Sequence, residues 1–175
     1  MLNLNRKAIF LAQLIREAGR IEGEKKLAKM LCYIEKERNI KTGFQFNKNY
    51  AHGHYTFEIK EETAKLQNEK LIEFVEEHST GYWGEPIKKH IFKATQKLKS
   101  TDLPLTPAEK RAVHSIYREY APFSGNQIEH YDHEVYRHGK MRADIEFKRH
   151  TIQNTQKLIN KHKGNEKAAL AEWLS

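Results

Sequence analysis

A histidine-rich segment in the C-terminal half is the first candidate for chemistry. The run from His133 to His138 (His-Glu-Val-Tyr-Arg-His) has one residue too many for the His-Glu-x-x-His zinc motif. Its two histidines are five residues apart and therefore lie about 140° from each other around a helix. His130 and His133 have helical spacing, but no further coordinating set accompanies them. We therefore expect no metal and no cofactor.

Other catalytic signatures are also missing from the sequence. It has no glycine-rich phosphate loop, no nucleophile elbow and no recognisable carboxylate pair. We accordingly predict no catalytic residue and a protein that is not an enzyme. A histidine-dependent metalloenzyme is the least favoured of three functional hypotheses.

A basic and aromatic segment between residues 81 and 99 offers binding chemistry instead. It contains five lysines against one acid, Glu85, with Tyr82 and Trp83 in a glycine-containing turn. Lysines interleaved with aromatic side chains suit phosphate contacts and base stacking. Strand alternation puts Lys89 and Lys93 on one face and Lys88 on the other. The alternative is that Trp83 and Phe92 simply pack the segment onto neighbouring helices.

The helix that precedes this segment is a poor reader of DNA. Its outer face is rich in glutamates, which phosphates repel, and only Lys65 and Asn68 are available for base edges. The predicted nucleic-acid-binding residues are therefore Lys65, Asn68, Trp83, Lys88, Lys89, Lys93 and Lys97.

Composition favours an acidic partner and an intracellular location. The chain has 175 residues, a formal charge of +8 and a pI of about 9.4, and nucleic acid is the first acidic partner to consider. Cys32 is the single cysteine, which excludes an intrachain disulfide and a cysteine-based metal site. We find no signal peptide and no apolar run long enough to span a bilayer, so we expect a soluble, cytoplasmic protein.

Two helices are predicted before residue 40. Asn5 can cap the first, and Gly19 can end it. The second is expected from about residue 24 to 38, with an apolar stripe facing inward. Its basic side chains are expected to point mostly outward: Lys25, Lys26, Lys29, Lys36 and Arg38.

The middle of the chain changes its period. Residues 43–46 alternate like a strand, and Thr56 can cap a third helix that turns Ile59, Thr63 and Leu66 inward. The outer face of this helix is expected to include Glu62. Segments 71–75 and 86–95 then predict a long hairpin.

The last third is predicted to be helical. Thr106, Pro107 and Glu109 form a capping box with proline at the first position of a helix that reaches about Tyr120. A short helix should follow from Ser124 to Tyr131, then a longer one from Met141 and a C-terminal one containing Trp173. The exposed Trp173 would be a liability, so we expect this tail to dock on the domain or on a second chain.

These elements predict an α+β, mainly α fold. A winged-helix-like three-helix core with a β-hairpin wing should occupy residues 1–100. A helical extension packed on that core should occupy residues 101–175. This order of helices followed by a hairpin is typical of winged-helix proteins.

Three short motifs resemble the Panacea (SocA-like antitoxin) domain family and related winged-helix-like proteins. Residues 27–34 (LAKMLCYI) are similar to its "LQKLLYY" helix, and residues 53–56 (GHYT) to its Gly-Pro-Tyr/Val-Ser segment. Residues 105–133 resemble its closing segment. His54 stands in place of the usual proline, and Lys70 stands where a helix-ending glycine is common. The resemblance covers roughly residues 5–140 and implies a non-enzymatic regulator or antitoxin, without catalytic residues.

Two hypotheses follow for function. The first is a regulatory protein that binds double-stranded DNA mainly through its basic hairpin. The alternative is an antitoxin-like interaction module that neutralises a toxin or recruits another protein partner, and self-association into a homodimer is compatible with either. No membrane partner is expected.

Overall fold

The computed structural model describes residues 3–47, 53–80 and 86–138. Within these ranges the fold is α+β and mainly helical, which confirms the predicted class, with six helices and one antiparallel sheet of three strands. The helices are α1 (Arg6–Ala18), α2 (Glu24–Arg38), α3 (Glu58–Asn68), α4 (Gln96–Ser100), α5 (Pro107–Tyr120) and α6 (Gly125–His138). The strands are β1 (Arg20–Glu22), β2 (Ile72–Thr80) and β3 (Pro86–Ala94).

Helices α1 and α2 form the centre of the core, with the bounds that the sequence predicts. Asn5 Oδ1 accepts from the Ala8 backbone N–H at 2.8 Å, and Gly19 ends α1 at φ 66°. Such a positive φ suits glycine, which has no Cβ to clash. Both helices are buried around their circumference, over residues 8–15 and 27–34.

The expectation that Lys29 points outward is wrong. Its side chain is fully buried, because neighbours enclose α2 on every side rather than along one apolar stripe. The spacing of charges in the sequence cannot show this burial, since the residues that surround α2 come from distant parts of the chain.

The predicted strand at residues 43–46 is also wrong. Burial does alternate there, but the backbone donors bond to side chains instead of a neighbouring strand. Glu35 Oε1 accepts from the Thr42 N–H at 2.8 Å, and Glu58 Oε2 accepts from the Gln45 N–H at 2.9 Å. The pairing that remains is an isolated bridge between Asn47 and Tyr55.

Helix α3 turns Ile59, Thr63 and Leu66 inward, as predicted, and begins one position later than a Thr56 cap implies. Thr56 Oγ1 still accepts from the Glu58 N–H at 3.3 Å. The outward placement of Glu62 is wrong, because its side chain is buried against the start of α1. Its Oε1 accepts from Asn5 Nδ2 at 3.0 Å, so the α1 cap residue also holds α3.

Strands β2 and β3 form the predicted hairpin, and the sheet has the order β1-β3-β2. Phe92 lies opposite Phe74 on β2 and Ile21 on β1. Ile21, Ile91 and Phe92 are buried and anchor the sheet to the helices. The three-residue strand β1 and the five-residue helix α4 were not predicted, because neither is long enough to show a period.

Helix α5 begins with the predicted capping box, in which Thr106 and Glu109 bond reciprocally. It packs on α1 and α2, and the rings of Tyr33 and Tyr120 lie 4.7 Å apart between centroids. Helix α6 is longer than predicted and continues to His138, since no glycine or proline interrupts it before Gly139. The helices predicted from Met141 onward lie outside the described residues.

The chain divides into two compact units, residues 1–129 and 130–175. The first contains α1 to α5, the sheet and the start of α6. It carries every contact discussed below.

Lys70 provides a test of backbone strain at the end of α3. It adopts φ 57°, the left-handed conformation that costs a non-glycine residue about 1–2 kcal/mol. After allowance for the greater chain entropy of glycine when unfolded, Lys70→Gly should stabilise the protein by about 1 kcal/mol. The matched change Lys60→Gly in the first turn of α3 should destabilise it by up to about 1 kcal/mol. Urea denaturation of both variants measures the difference, and equal destabilisation would contradict the expectation.

Candidate interaction surface

The hairpin is held in a fixed register by the cross-strand ladder and by its buried base. The ladder runs from Ile72 opposite Ala94 to Thr80 opposite Pro86. At the base, the rings of Phe74 and Phe92 lie 5.5 Å apart between centroids. This register determines which charged side chains share a face of the sheet.

One face of the sheet, here called the charged face, carries Arg20, Glu22, Glu73, Glu77, Lys89 and Lys93. Lys89 and Lys93 share it, as alternation predicts. Arg20 Nη2 donates to Glu77 Oε2 at 2.8 Å, and Lys93 Nζ lies 3.9 Å from Glu77 Oε1. Lys89 Nζ lies 3.6 Å from Glu22 Oε2. Both predicted phosphate contacts on this face are therefore already paired with carboxylates.

The opposite face holds a second cluster around Glu76. Lys88 Nζ and His78 Nε2 each lie 3.1 Å from Glu76 Oε1, and His90 Nε2 lies 3.6 Å from Oε2. The His90 ring also packs edge-on against Phe74, with 5.2 Å between centroids. Lys88 thus lies on the face predicted for it and is likewise paired.

Two of the three glutamates of β2, Glu76 and Glu77, have a pKa below the ordinary glutamate value. The hydrogen bond from Arg20 is the main cause that lowers the pKa of Glu77, and the hydrogen bond from Lys88 does the same for the pKa of Glu76. Nearby cations add to each effect, and partial desolvation opposes it. These two carboxylates therefore remain negative to a lower pH than an isolated glutamate does.

The consequence is a sheet without net charge. Its three strands contain four cationic side chains and four carboxylates, so the formal charges cancel. The sequence-based count of excess lysine covered only residues 81–99 and omitted the carboxylates of β1 and β2. For β2 the sequence did contain the information needed. A hairpin centred on the turn places Glu76 opposite His90 and Glu77 opposite Lys89.

The two predicted base-contacting residues lie at the C-terminal end of α3. Lys65 Nζ lies 2.9 Å from Glu61 Oε1 and 3.1 Å from Glu62 Oε1. The hydrogen bond with Glu61 is the main cause that raises the pKa of Lys65, and the one with Glu62 adds to it. Asn68 is exposed and lines a cavity of about 410 Å³ with Asn5 and Lys65. The structure thus brings Lys65 and Asn68 together.

The remaining predicted residues are separate. Lys97 lies on α4, where its Nζ donates to the Glu69 carbonyl at 2.6 Å. Trp83 and Tyr82 lie outside the described residues. In the part of the chain that the structure describes, no group of three or more histidine, cysteine, aspartate or glutamate side chains is arranged to hold a metal ion.

Comparison of the chain with family models, curated proteins and solved structures found no match. The resemblance to the Panacea family therefore stays a prediction from short motifs. Among the described helices, none combines the length and apolar character needed to cross a membrane.

The pairing on the charged face has a measurable signature in the pKa of Glu77. In the wild type this pKa should lie below the ordinary glutamate value of about 4.3. Because Arg20 is the main cause, Arg20→Gln should raise the pKa toward that value. The stabilising pairing is present above the ordinary pKa and is lost as pH falls through the lowered one.

Carbon-detected NMR titration of the glutamate carboxyl groups measures this change. Arg111→Gln is the matched control, because Arg111 is exposed on α5 and makes no ion pair with a described residue. A Glu77 pKa that does not respond to the loss of Arg20 would show that the pair is not formed in solution.

Proposed function

We propose that this chain is a non-enzymatic regulatory protein of winged-helix-like architecture that acts by binding another protein. The observation that carries the proposal is the cancellation of charge on the sheet. A DNA-binding wing needs uncompensated positive charge, because phosphate contacts supply most of the affinity. Interfaces between proteins contain mixed charges and exposed apolar side chains.

The order of elements supports the architectural part of the proposal. Three helices, α1 to α3, precede the β2–β3 hairpin, and β1 follows α1 directly. The short β1 pairs with the second strand of the hairpin. In a winged helix the same order makes the hairpin a wing that projects from a helical core.

The surface of α3 supports a protein partner over DNA. The helix contains three glutamates and two lysines, and one of the lysines is paired with two of the glutamates. A helix of this charge would be repelled in the major groove. The segment from residue 53 to 80, which includes α3 and β2, carries seven acids and three lysines.

Exposed apolar side chains lie beside these charges. Phe74 on β2 is 40% exposed, Ile87 on β3 is 37% exposed, and Phe57 before α3 is 59% exposed. Aromatic side chains are enriched at protein interfaces because they bury a large area. The Panacea resemblance supports the same class of function, an antitoxin-like module that occludes or recruits its partner.

Co-expression with the products of the adjacent reading frames tests this function, since an antitoxin-like protein and its partner are expected to be encoded together. We expect one product to co-elute with the chain in size-exclusion chromatography. The complex should weaken far less between about 50 and 200 mM salt than a complex held by several lysine–phosphate contacts would, because the sheet has no net charge. Separate elution of every adjacent product would contradict the antitoxin-like form of the proposal.

DNA binding through the hairpin is the second candidate, favoured by the cations that follow β3. Lys97 and Lys99 are exposed on α4 and make no ion pair with a described residue. With Lys88, Lys89 and Lys93 they form one basic run, and phosphates would have to displace Glu22, Glu76 and Glu77 from the hairpin lysines. Phosphates can displace these carboxylates only where the local density of negative charge is higher, as it is along a DNA duplex.

Fluorescence anisotropy with duplex DNA separates the two candidates. On the protein-partner proposal the wild type shows no salt-dependent binding, and Lys89→Glu/Lys93→Glu changes nothing. On the DNA candidate the wild type binds at low salt, and the double variant weakens binding about equally for all sequences and lowers the salt slope by about two. Lys60→Glu on α3 is the control for charge reversal away from the hairpin.

A further inference from the structure

Strand β2 lies at the edge of the sheet. The order β1-β3-β2 leaves one side of β2 without a strand partner among the described elements. β2 is nine residues long, and side chains along it are exposed. A long open edge of this kind accepts extended peptides by strand addition.

The backbone hydrogen bonds show which groups point to the open side. Thr95 N–H donates to the Leu71 carbonyl at 3.1 Å, and Ala94 N–H donates to the Gly19 carbonyl at 2.9 Å. Successive residues of β3 therefore bond alternately to β2 and to β1. Through the register, Glu73, Val75 and Glu77 bond to β3. The N–H and C=O groups at the open side then belong to Ile72, Phe74, Glu76, His78 and Thr80.

The side chains along this edge differ between the two faces. Phe74 shares a face with Phe92 and offers an exposed apolar surface. Glu73 and Glu77 lie on the charged face, and Glu73 is exposed and makes no ion pair with a described residue. On the Phe74 face Glu76 is already held by Lys88 and two histidines. Glu77 is likewise held by Arg20 and Lys93. The contacts that no described residue fills are therefore Phe74 on one face and Glu73 on the other.

We infer that β2 is a docking edge for an extended basic segment of a partner protein, which adds to the sheet as a fourth strand. An apolar side chain of the segment lies beside Phe74 on one face, and a lysine or arginine lies beside Glu73 on the other. The period of two in a strand matches this alternation. The inference rests on the proposed function and specifies the chemistry of the partner.

Two other occupants fit this edge less well. A second copy would add a second exposed Glu73 to the edge and no free cation from its described strands to neutralise it, because the cations of these strands are already paired with Glu22, Glu76 and Glu77. A nucleic acid would place phosphates against Glu73. A basic peptide is the occupant whose charge complements the edge.

The test uses the full chain and a short peptide of alternating lysine and valine, followed by NMR hydrogen exchange. We expect the peptide to slow exchange at the amides of Phe74, Glu76 and His78. The amides of Glu73, Val75 and Glu77 are bonded to β3 in the free protein and should change little. A peptide with glutamate in place of lysine should not bind. Slowed exchange at another surface with none on β2 would overturn the inference.

Proline at an outward position blocks the edge without breaking the hairpin. His78→Pro removes one N–H from the open side and keeps the bonds between β2 and β3, because edge strands tolerate proline there. It should weaken peptide binding about tenfold, whereas His78→Ala should bind like the wild type. Glu73→Lys should also weaken binding about tenfold by reversing an exposed charge, and it does not alter the backbone.

The outcomes separate this inference from the proposed function. Failure of the wild type to bind the lysine–valine peptide, or equal binding by Glu73→Lys, overturns the docking edge. A co-eluting protein partner would still support the interaction function in that case. Absence of any protein partner together with peptide binding on β2 would instead remove the antitoxin-like proposal and keep the edge.

Discussion

The hydrogen bonding of β3 on both of its sides is the constraint on which the surface of this protein depends. Ala94 bonds to the residue before β1, and Thr95 bonds to the residue before β2. These two bonds set the register of the whole sheet, since antiparallel pairing allows one partner per residue. A slip of one residue would turn Phe92 outward and bring every lysine of β3 to the other face.

The cross-strand register places carboxylates beside the lysines of β3, so the sheet as a whole has no net charge. Lys88, Lys89 and Lys93 belong to one strand, but their nearest carboxylates come from the two strands beside it. An exposed ion pair adds little stability. Its larger effect here is on recognition, because a lysine paired with glutamate binds a phosphate more weakly than a free lysine does. The same pairing leaves Glu73 as the carboxylate of β2 that forms no ion pair with a described residue.

The helical core supports this sheet through a small number of shared residues. Asn5 caps α1 and binds the buried Glu62 of α3. Tyr120 on α5 packs on Tyr33 and donates to Glu37 Oε1 at 2.6 Å, which ties α5 to α2. These contacts connect segments that are distant in sequence, and they give one carboxylate oxygen each of Glu62 and Glu37 a hydrogen-bond donor.

Local signals in the sequence determined α1, α2, α5 and the hairpin, because caps, glycines and hydrophobic period act within a few residues. The buried Lys29 and Glu62, the pairing of the lysines and the short β1 were decided only by the tertiary structure. Each depends on neighbours brought from elsewhere in the chain. The alternating pattern at residues 43–46 wrongly predicted a strand. The side chains of Glu35 and Glu58 accept hydrogen bonds from the backbone N–H groups of Thr42 and Gln45, which a neighbouring strand would otherwise accept. A strand needs a partner, and a sequence pattern alone does not supply one.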